Sequence, residues 1–354
     1  MYDDYLNFAS KKIMTKLYFR DEFLWMKKLT IRKLFNAALV KVSYHLSGFT
    51  GRVIHWGKPL SLAIEPTTSC NLRCPECPSG LRSFSRPTGM LGLEKYQQWL
   101  EETHAQLLYL IFYFQGEPFL NPQLLPMIRQ ASDKGIYTAT STNAHYLDDT
   151  NARGIVEAGL DRLIISIDGT SQDTYEQYRI GGRLDKVITG TKRVLHWRKQ
   201  LKKAHPYVML QFLVVRPNEH QIEEAKALAK SLGVDRIVFK SAQIYDYQND
   251  QSLIPKQEKY SRYKKGASGK YELKHQMRNH CWRLWHAPVI TWDGRLLACC
   301  FDKDADYAFG KVAEEGLVAN WKNKKADAFK QQVLKDRQQI SICKNCTEGA
   351  KVWL

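Results

Sequence analysis

The stretch Cys70-Asn71-Leu72-Arg73-Cys74-Pro75-Glu76-Cys77 constrains this chain more than any other. It sets three thiols at the spacing CxxxCxxC in one short loop, directly after the extended run Leu60–Pro66. Three cysteines so close cannot all pair with one another, and the spacing suits one inorganic cluster. Protein iron–sulfur clusters normally take four thiolates. A loop that offers three leaves one iron with an open position, which is how a bound metal does chemistry rather than only holding a fold. The competing reading is a structural zinc loop, but zinc sites prefer paired CxxC or CxxH spacings.

The rest of the composition fits a globular chain around such a loop. At 354 residues, with 44% hydrophobic and 25% charged side chains, the chain has room for about two domains and a sizeable core. The formal net charge of +17 predicts an anionic partner, whether an acidic electron donor, an anionic membrane surface, an acidic substrate or nucleic acid, and charge does not choose among them, though nucleic acid is not the expected partner of this chain. No apolar run reaches the length of a membrane span, and Met1-Tyr2-Asp3-Asp4 does not read as a signal peptide. Eight cysteines in metal-like spacings favour metal binding over disulfides, so the expected location is cytoplasmic.

Residues 1–58 form a basic, aromatic-rich lead segment with 11 Lys/Arg against 4 Asp/Glu. Ile31, Leu34, Phe35, Ala38, Leu39, Val42 and Leu46 recur at helical spacing within Leu29–Leu46, and Gly48 is the expected stop. A second short helix is expected over Tyr5–Phe19. The simplest expectation is a helical extension packed on the main domain. The sharper one is a peripheral membrane or partner contact, since basic residues interleave with Phe23, Leu24, Trp25 and Met26.

From 59 to 240 the pattern alternates. Strand-like runs at Leu60–Pro66, Leu108–Phe114, Gly135–Ser141, Arg162–Ile167, Tyr207–Val215 and Arg236–Phe239 are separated by helical stretches at Leu93–Gln106, Asn121–Lys134, Thr150–Ala158, Leu184–Lys202 and Glu219–Leu232. Such β/α units predict an α/β fold with a parallel sheet covered by helices. In parallel barrels the site lies at the C-terminal strand ends. Residues 241–280 hold few apolar runs and read as a linker or lid.

A second cysteine group occupies 281–354. Cys281 is followed by twelve residues, Gly294, four residues and Cys299, and later by Cys343-Lys344-Asn345-Cys346. Val289–Ala298 reads as a β-hairpin with an Asp293-Gly294 turn, which would bring Cys281 and Cys299 to neighbouring ends. Four ligands with nothing left over describe a closed site, either structural zinc or a fully ligated 4Fe–4S cluster. The spacing favours Cys299, with adjacent Cys300 as the alternative ligand.

CxxxCxxC after a first strand, with Asn71 and Leu72 inside it, resembles the cluster loop of the radical S-adenosylmethionine (radical SAM) superfamily. In that family three cysteines hold a 4Fe–4S cluster whose open iron chelates S-adenosylmethionine. The reduced cluster cleaves the sulfonium to a 5′-deoxyadenosyl radical, which abstracts hydrogen from substrate. Glu76 stands where many members carry an aromatic residue. The resemblance implies a partial (β/α)6 TIM-type barrel with Cys70, Cys74 and Cys77 as cluster ligands. Gln115-Gly116-Glu117-Pro118 resembles the GGEP motif that binds the cofactor's amino group, with Gln for the first Gly. Ser141-Thr142-Asn143 resembles the ribose-binding segment, with Ala144 replacing the commoner Gly. Ser166-Ile167-Asp168-Gly169 is familiar from the same branch. It implies Ser166 near the methionine moiety and Arg179 paired with its carboxylate, while Asp168 could equally cap the next helix.

The second group resembles the SPASM/Twitch extension, which carries auxiliary 4Fe–4S clusters. Eight residues follow Cys346, so the shorter Twitch form is expected: a hairpin plus helix with one auxiliary cluster on Cys281, Cys299, Cys343 and Cys346. Two 4Fe–4S clusters, S-adenosylmethionine and an acidic donor such as flavodoxin or ferredoxin are therefore implied. The expected reaction is oxidation of a small polar molecule, with the auxiliary cluster accepting an electron. The alternatives are a peptide or protein maturase and a non-enzymatic metal-binding module. Glu76, Asp168, Tyr245, Asp302 and Asp304 are conceivable bases, and Gln211 and Lys240 point toward the mouth by position.

Overall fold

The computed structural model describes residues 20–249, 251–274 and 278–346. The expected helix over Tyr5–Phe19 lies outside them. The chain builds β1 (Ser61–Ile64), β2 (Tyr109–Ile111), β3 (Tyr137–Thr142), β4 (Arg162–Ser166), β5 (Tyr207–Val214) and β6 (Arg236–Ser241), each parallel to the next. Helices at Leu93–Thr103, Leu124–Asp133, Asp149–Glu157, Leu184–Gln200 and Ile222–Leu232 make the crossovers that parallel strands require. The six-strand expectation holds, with strand ends differing by a few residues.

The strand order continues on the other side of β1. A small hairpin, β7 (Tyr263–Lys265) with β8 (Tyr271–Leu273), stands alone, whereas β9 (Val289–Ile290) pairs parallel to β1. β10 (Arg295–Leu297) and β11 (Ala308–Lys311) then add antiparallel strands, so one nine-stranded sheet runs from β11 to β6. Among the described residues its two edges do not join, and the barrel is open. The Asp293-Gly294 turn forms as expected, with Gly294 at φ 91°, where a side chain would strain the backbone. The segment 241–280, expected as a linker or lid, carries the β7–β8 hairpin, whose Tyr263 donates to Asn345 and bonds the Ile244 backbone.

The lead segment also differs from expectation. Its helix α1 (Ile31–Thr50) runs through Gly48 and stops at Gly51, whose left-handed backbone (φ 67°) donates to Ser47 O. Gly48 is instead a contact point, since a Cβ there would meet the His280 ring at 2.4 Å. The buried face of α1 is Lys33, Asn36, Val40, Ser43 and Ser47, not the apolar stripe. Preceding it, helical segment 20–26 closes the N-terminal ends of the strands. Asp21 accepts from Tyr137 and Arg162, Arg20 pairs with Asp235, and Leu24 packs on Tyr137 and Tyr207. The C-terminal strand ends are left open.

Candidate functional site

The loop 70–77 leaves β1 at its C-terminal end and folds back by close backbone approach. Glu117 N donates to Ser69 O at 2.8 Å, and Arg73 N to Ile180 O at 3.0 Å. Gly116 sits at φ 73°, and a Cβ there would meet Thr67 O at 2.3 Å, so the turn after β2 presses on the loop only because that residue has no side chain. Gly80 plays the same part from the short helix Pro78–Leu81, where a Cβ would meet Cys74 N at 2.6 Å.

Cys70, Cys74 and Cys77 then face one cavity with about 700 Å³ of empty space, partly open to solvent. Gly116, Glu117, Ser141, Asn143, Ser166, Tyr178 and Arg179 line it as well. Gln115 and Pro118 do not: both are buried, and Pro118 starts the turn Pro118–Leu120. Gln211 and Lys240 do not line it either.

Glu117 is 2% exposed, and burial raises its carboxyl to about 7. Three donors temper that cost: Thr142 Oγ1 at 2.7 Å, Asn143 N at 2.8 Å and Phe119 N at 3.2 Å. The carboxylate thus locks the loop after β2 to the end of β3. Asn143 reaches back to Asn71 Oδ1 at 2.8 Å and toward Cys70 Sγ at 4.0 Å. Burial also pushes the Cys70 thiol up to about 11 and raises Cys74. Neutral thiols packed this way need a cation to hold them as thiolates.

Arg179 lines the three-thiol cavity beside Cys74. Its guanidinium is held by Asp168 at 2.5 Å, and Nη1 lies 3.8 Å from Cys74 Sγ. Asp168 does not cap the next helix. Its other oxygen accepts from Leu213 N at 2.7 Å, so it is a fixed counter-ion for an arginine beside the thiols. Glu76, in the aromatic position, accepts from Tyr245 N at 2.9 Å and ties the loop to the segment after β6.

The second thiol group gathers as the spacing predicts. Cys281, Cys299, Cys343 and Cys346 line one cavity of about 330 Å³ with Arg283, Leu284, Phe301, Phe329, Val333, Arg337 and Ile342. Cys300 does not line it and packs instead with Ala63, Phe114, Val289 and Leu297. No three His, Cys, Asp or Glu side chains among the described residues converge tightly enough for one metal ion. Four thiols lining one cavity supply the full ligand set of a closed site, either structural zinc or a fully ligated 4Fe–4S cluster. Arg337, 2% exposed, donates to Cys346 Sγ at 3.1 Å.

A polar cavity lined by Tyr245, Asp246, Lys303, Asp304, Ser341 and Lys344 among others shares Phe301 and Ile342 with the four-thiol cavity, and Cys77 acts electrostatically on its Tyr245 and Lys303. Lys303 donates to the Tyr245 hydroxyl. Asp304 accepts from Ser85 at 2.8 Å, whereas Asp302 is a buried turn acceptor for Asp306 N and Tyr307 N. Sequence reasoning missed Glu65 and Arg86, a buried ion pair at 2.5 Å whose guanidinium also donates to Lys303 O. It also missed Arg337, since nothing in the sequence marks either arginine.

Comparison with known proteins agrees with this geometry. A family model described as the radical SAM superfamily matches residues 64–229, and one described as an iron–sulfur cluster-binding domain, SPASM, matches 281–347. An AdoMet-dependent heme synthase of Methanosarcina barkeri is 27% identical over 49% of this chain, which spans only 48% of that protein. The PqqA peptide cyclase of Gluconobacter oxydans is 26% identical over 74% of this chain and 76% of its own. The fold is shared with Streptococcus suis SuiB bound to precursor peptide SuiA, at TM-score 0.60 and 14% identity over 83% of this chain and 72% of that one. The two models place a radical SAM domain ahead of a SPASM domain in this chain. It is a radical SAM enzyme with a C-terminal SPASM domain, and these domains imply iron–sulfur clusters and S-adenosylmethionine.

Proposed function

We propose that this enzyme oxidises a polar substrate held in the polar cavity lined by Tyr245 and Lys303. Cys70, Cys74 and Cys77 would hold a cluster with one open iron, and Cys281, Cys299, Cys343 and Cys346 a closed one. When bound, these groups and S-adenosylmethionine supply a 5′-deoxyadenosyl radical to take a hydrogen atom and an acceptor for the electron that the substrate then gives up. Glu117 offers a carboxylate to the cofactor's ammonium, Ser141 and Asn143 offer polar contacts to its ribose, and Ser166 lies at the methionine end. Arg179, already neutralised by Asp168, would stabilise the Cys74 thiolate more than it would bind a carboxylate.

The observation that carries this reading is a polar cavity that shares Phe301 and Ile342 with the four-thiol cavity and whose Tyr245 and Lys303 lie within electrostatic reach of Cys77. A second reading, modification of a peptide, is favoured by the likeness to a peptide cyclase over three quarters of the chain. The cavity would then take one side chain of the peptide. The test is anaerobic turnover with dithionite and S-adenosylmethionine, following 5′-deoxyadenosine. Formation by the intact chain and loss in Cys74→Ala supports the first step. Deuterium transfer into deoxyadenosine from labelled candidate sugars or peptides separates the two readings. No deoxyadenosine from the iron-loaded intact chain would refute both.

A further inference from the structure

Helix α1 is inside out. Its inward face is mostly polar: Lys33 Nζ donates to Gly135 O at 2.7 Å, Asn36 exchanges bonds with Lys58, and Ser47 Oγ donates to Ile54 O at 2.9 Å. Its outward face carries Ile31 (88% exposed), Leu34, Phe35 (66%), Val42 and Phe49 (90%). At about 100° per residue, Ile31, Phe35, Ala38, Val42 and Phe49 fall within a sector of about 60°. Surface helices ordinarily turn such a stripe to the core. The hydrogen bonds of the opposite face hold this one toward solvent.

The exposure is concentrated. Of the thirteen large hydrophobic side chains exposed among the described residues, nine lie between Phe23 and Trp56, with Trp25 and Met26 extending the α1 stripe onto segment 20–26. Exposed cations frame it: Lys27, Arg32, Lys41 and Arg52. Between residues 20 and 58 the only acids are Asp21 and Glu22, and Asp21 is committed to Arg162. An apolar stripe edged with cations and nearly free of acids has the chemistry of an interfacial helix. No helix among the described residues is long and apolar enough to cross a membrane, so the contact would be in plane.

We propose that the outward face of α1, with the exposed side chains of segment 20–26, docks this enzyme on an anionic lipid membrane surface. The face sits at the N-terminal ends of the strands, where Asp21 bonds Tyr137 and Lys33 bonds Gly135. The thiol-lined cavity opens at the opposite, C-terminal ends. Docking therefore leaves the mouth open to water, to a polar substrate and to an electron donor. The proposal is independent of which substrate is oxidised.

The test is co-sedimentation of the reconstituted full chain with phosphatidylcholine vesicles and with mixed phosphatidylcholine–phosphatidylglycerol vesicles. Binding to the anionic vesicles is expected to exceed that to neutral ones by about tenfold or more and to weaken with salt. The triple variant Ile31→Ser/Phe35→Ser/Phe49→Ser removes exposed side chains only, so it should keep its helical content and iron while losing about tenfold in binding. Arg32→Glu/Lys41→Glu should lose binding to the anionic vesicles alone. Equal binding by wild type and the serine variant, or no binding by wild type, would overturn the proposal. So would lipid-free self-association that the serine variant abolishes, which would assign the face to a second copy.

Discussion

Arg337→Met is the most informative single change in the C-terminal domain. Arg337 is buried against Cys346 Sγ at 3.1 Å in the cavity that the four thiols share. A fixed positive charge there favours the reduced form of whatever cluster the thiols hold, and buried charge and N–H···S bonds are the main protein levers on cluster potential. With about 5 Å from the guanidinium to the added electron and an effective dielectric of about 20, Coulomb's law gives about 3 kcal/mol. At about 59 mV for each tenfold, or 1.4 kcal/mol, in a one-electron couple, that is about 130 mV, and local relaxation reduces it to about 100 mV. The assay is an EPR-monitored redox titration in a Cys70/Cys74/Cys77→Ala background, which isolates the auxiliary group. The potential should fall by about 100 mV in Arg337→Met and recover largely in Arg337→Lys, which keeps the charge without the planar fork. A folded, iron-loaded Arg337→Met chain with a potential within about 20 mV of its parent would refute the reasoning.

Other expectations follow from single contacts. Cys299→Ala should lose about four irons and Cys300→Ala none, measured by iron content after reconstitution, because Cys299 lines the four-thiol cavity and Cys300 packs elsewhere. Arg86→Met leaves the Glu65 carboxylate buried without its cation and should cost about 3–5 kcal/mol in urea unfolding. A milder loss in Arg86→Met/Glu65→Gln would tie that cost to the stranded charge. Lys330, fully buried under Trp321, has its ammonium lowered to about 8 by burial. The unfolded chain therefore binds more protons between pH 8 and the ordinary lysine value of 10.5, and stability should rise with pH across that window. The rise is about 3 kcal/mol at most, and Lys330→Met should flatten the melting-temperature profile there.

The strand and helix repeat from 59 to 240 was legible because each period is local: Leu110 and Ile165 of the strands share one core with Ile128 and Val187 of the helices that follow them. The Asp293-Gly294 turn was legible for the same reason. Three features were not. Periodicity finds the stripe on α1 but cannot say which way it faces, since that depends on Lys33 and Asn36 finding carbonyl and amide partners at Gly135 and Lys58. The pairing of β9 with β1 joins residues more than two hundred positions apart, and no spacing rule announces it. The strands β7 and β8 are three residues each in a polar setting, below the length at which alternation carries signal. At the site, cysteine spacing named both thiol groups and favoured Cys299, which lines the four-thiol cavity where Cys300 does not. Arg179, Arg86 and Arg337 acquire their roles only through partners that the fold brings to them.

The most direct test of two separate cluster sites is an iron count after anaerobic reconstitution, comparing the intact chain with Cys70/Cys74/Cys77→Ala and following 5′-deoxyadenosine in both. About eight irons falling to about four, with deoxyadenosine formed by the intact chain alone, is the predicted result. Zinc in place of iron, or equal iron in the two proteins, would contradict it.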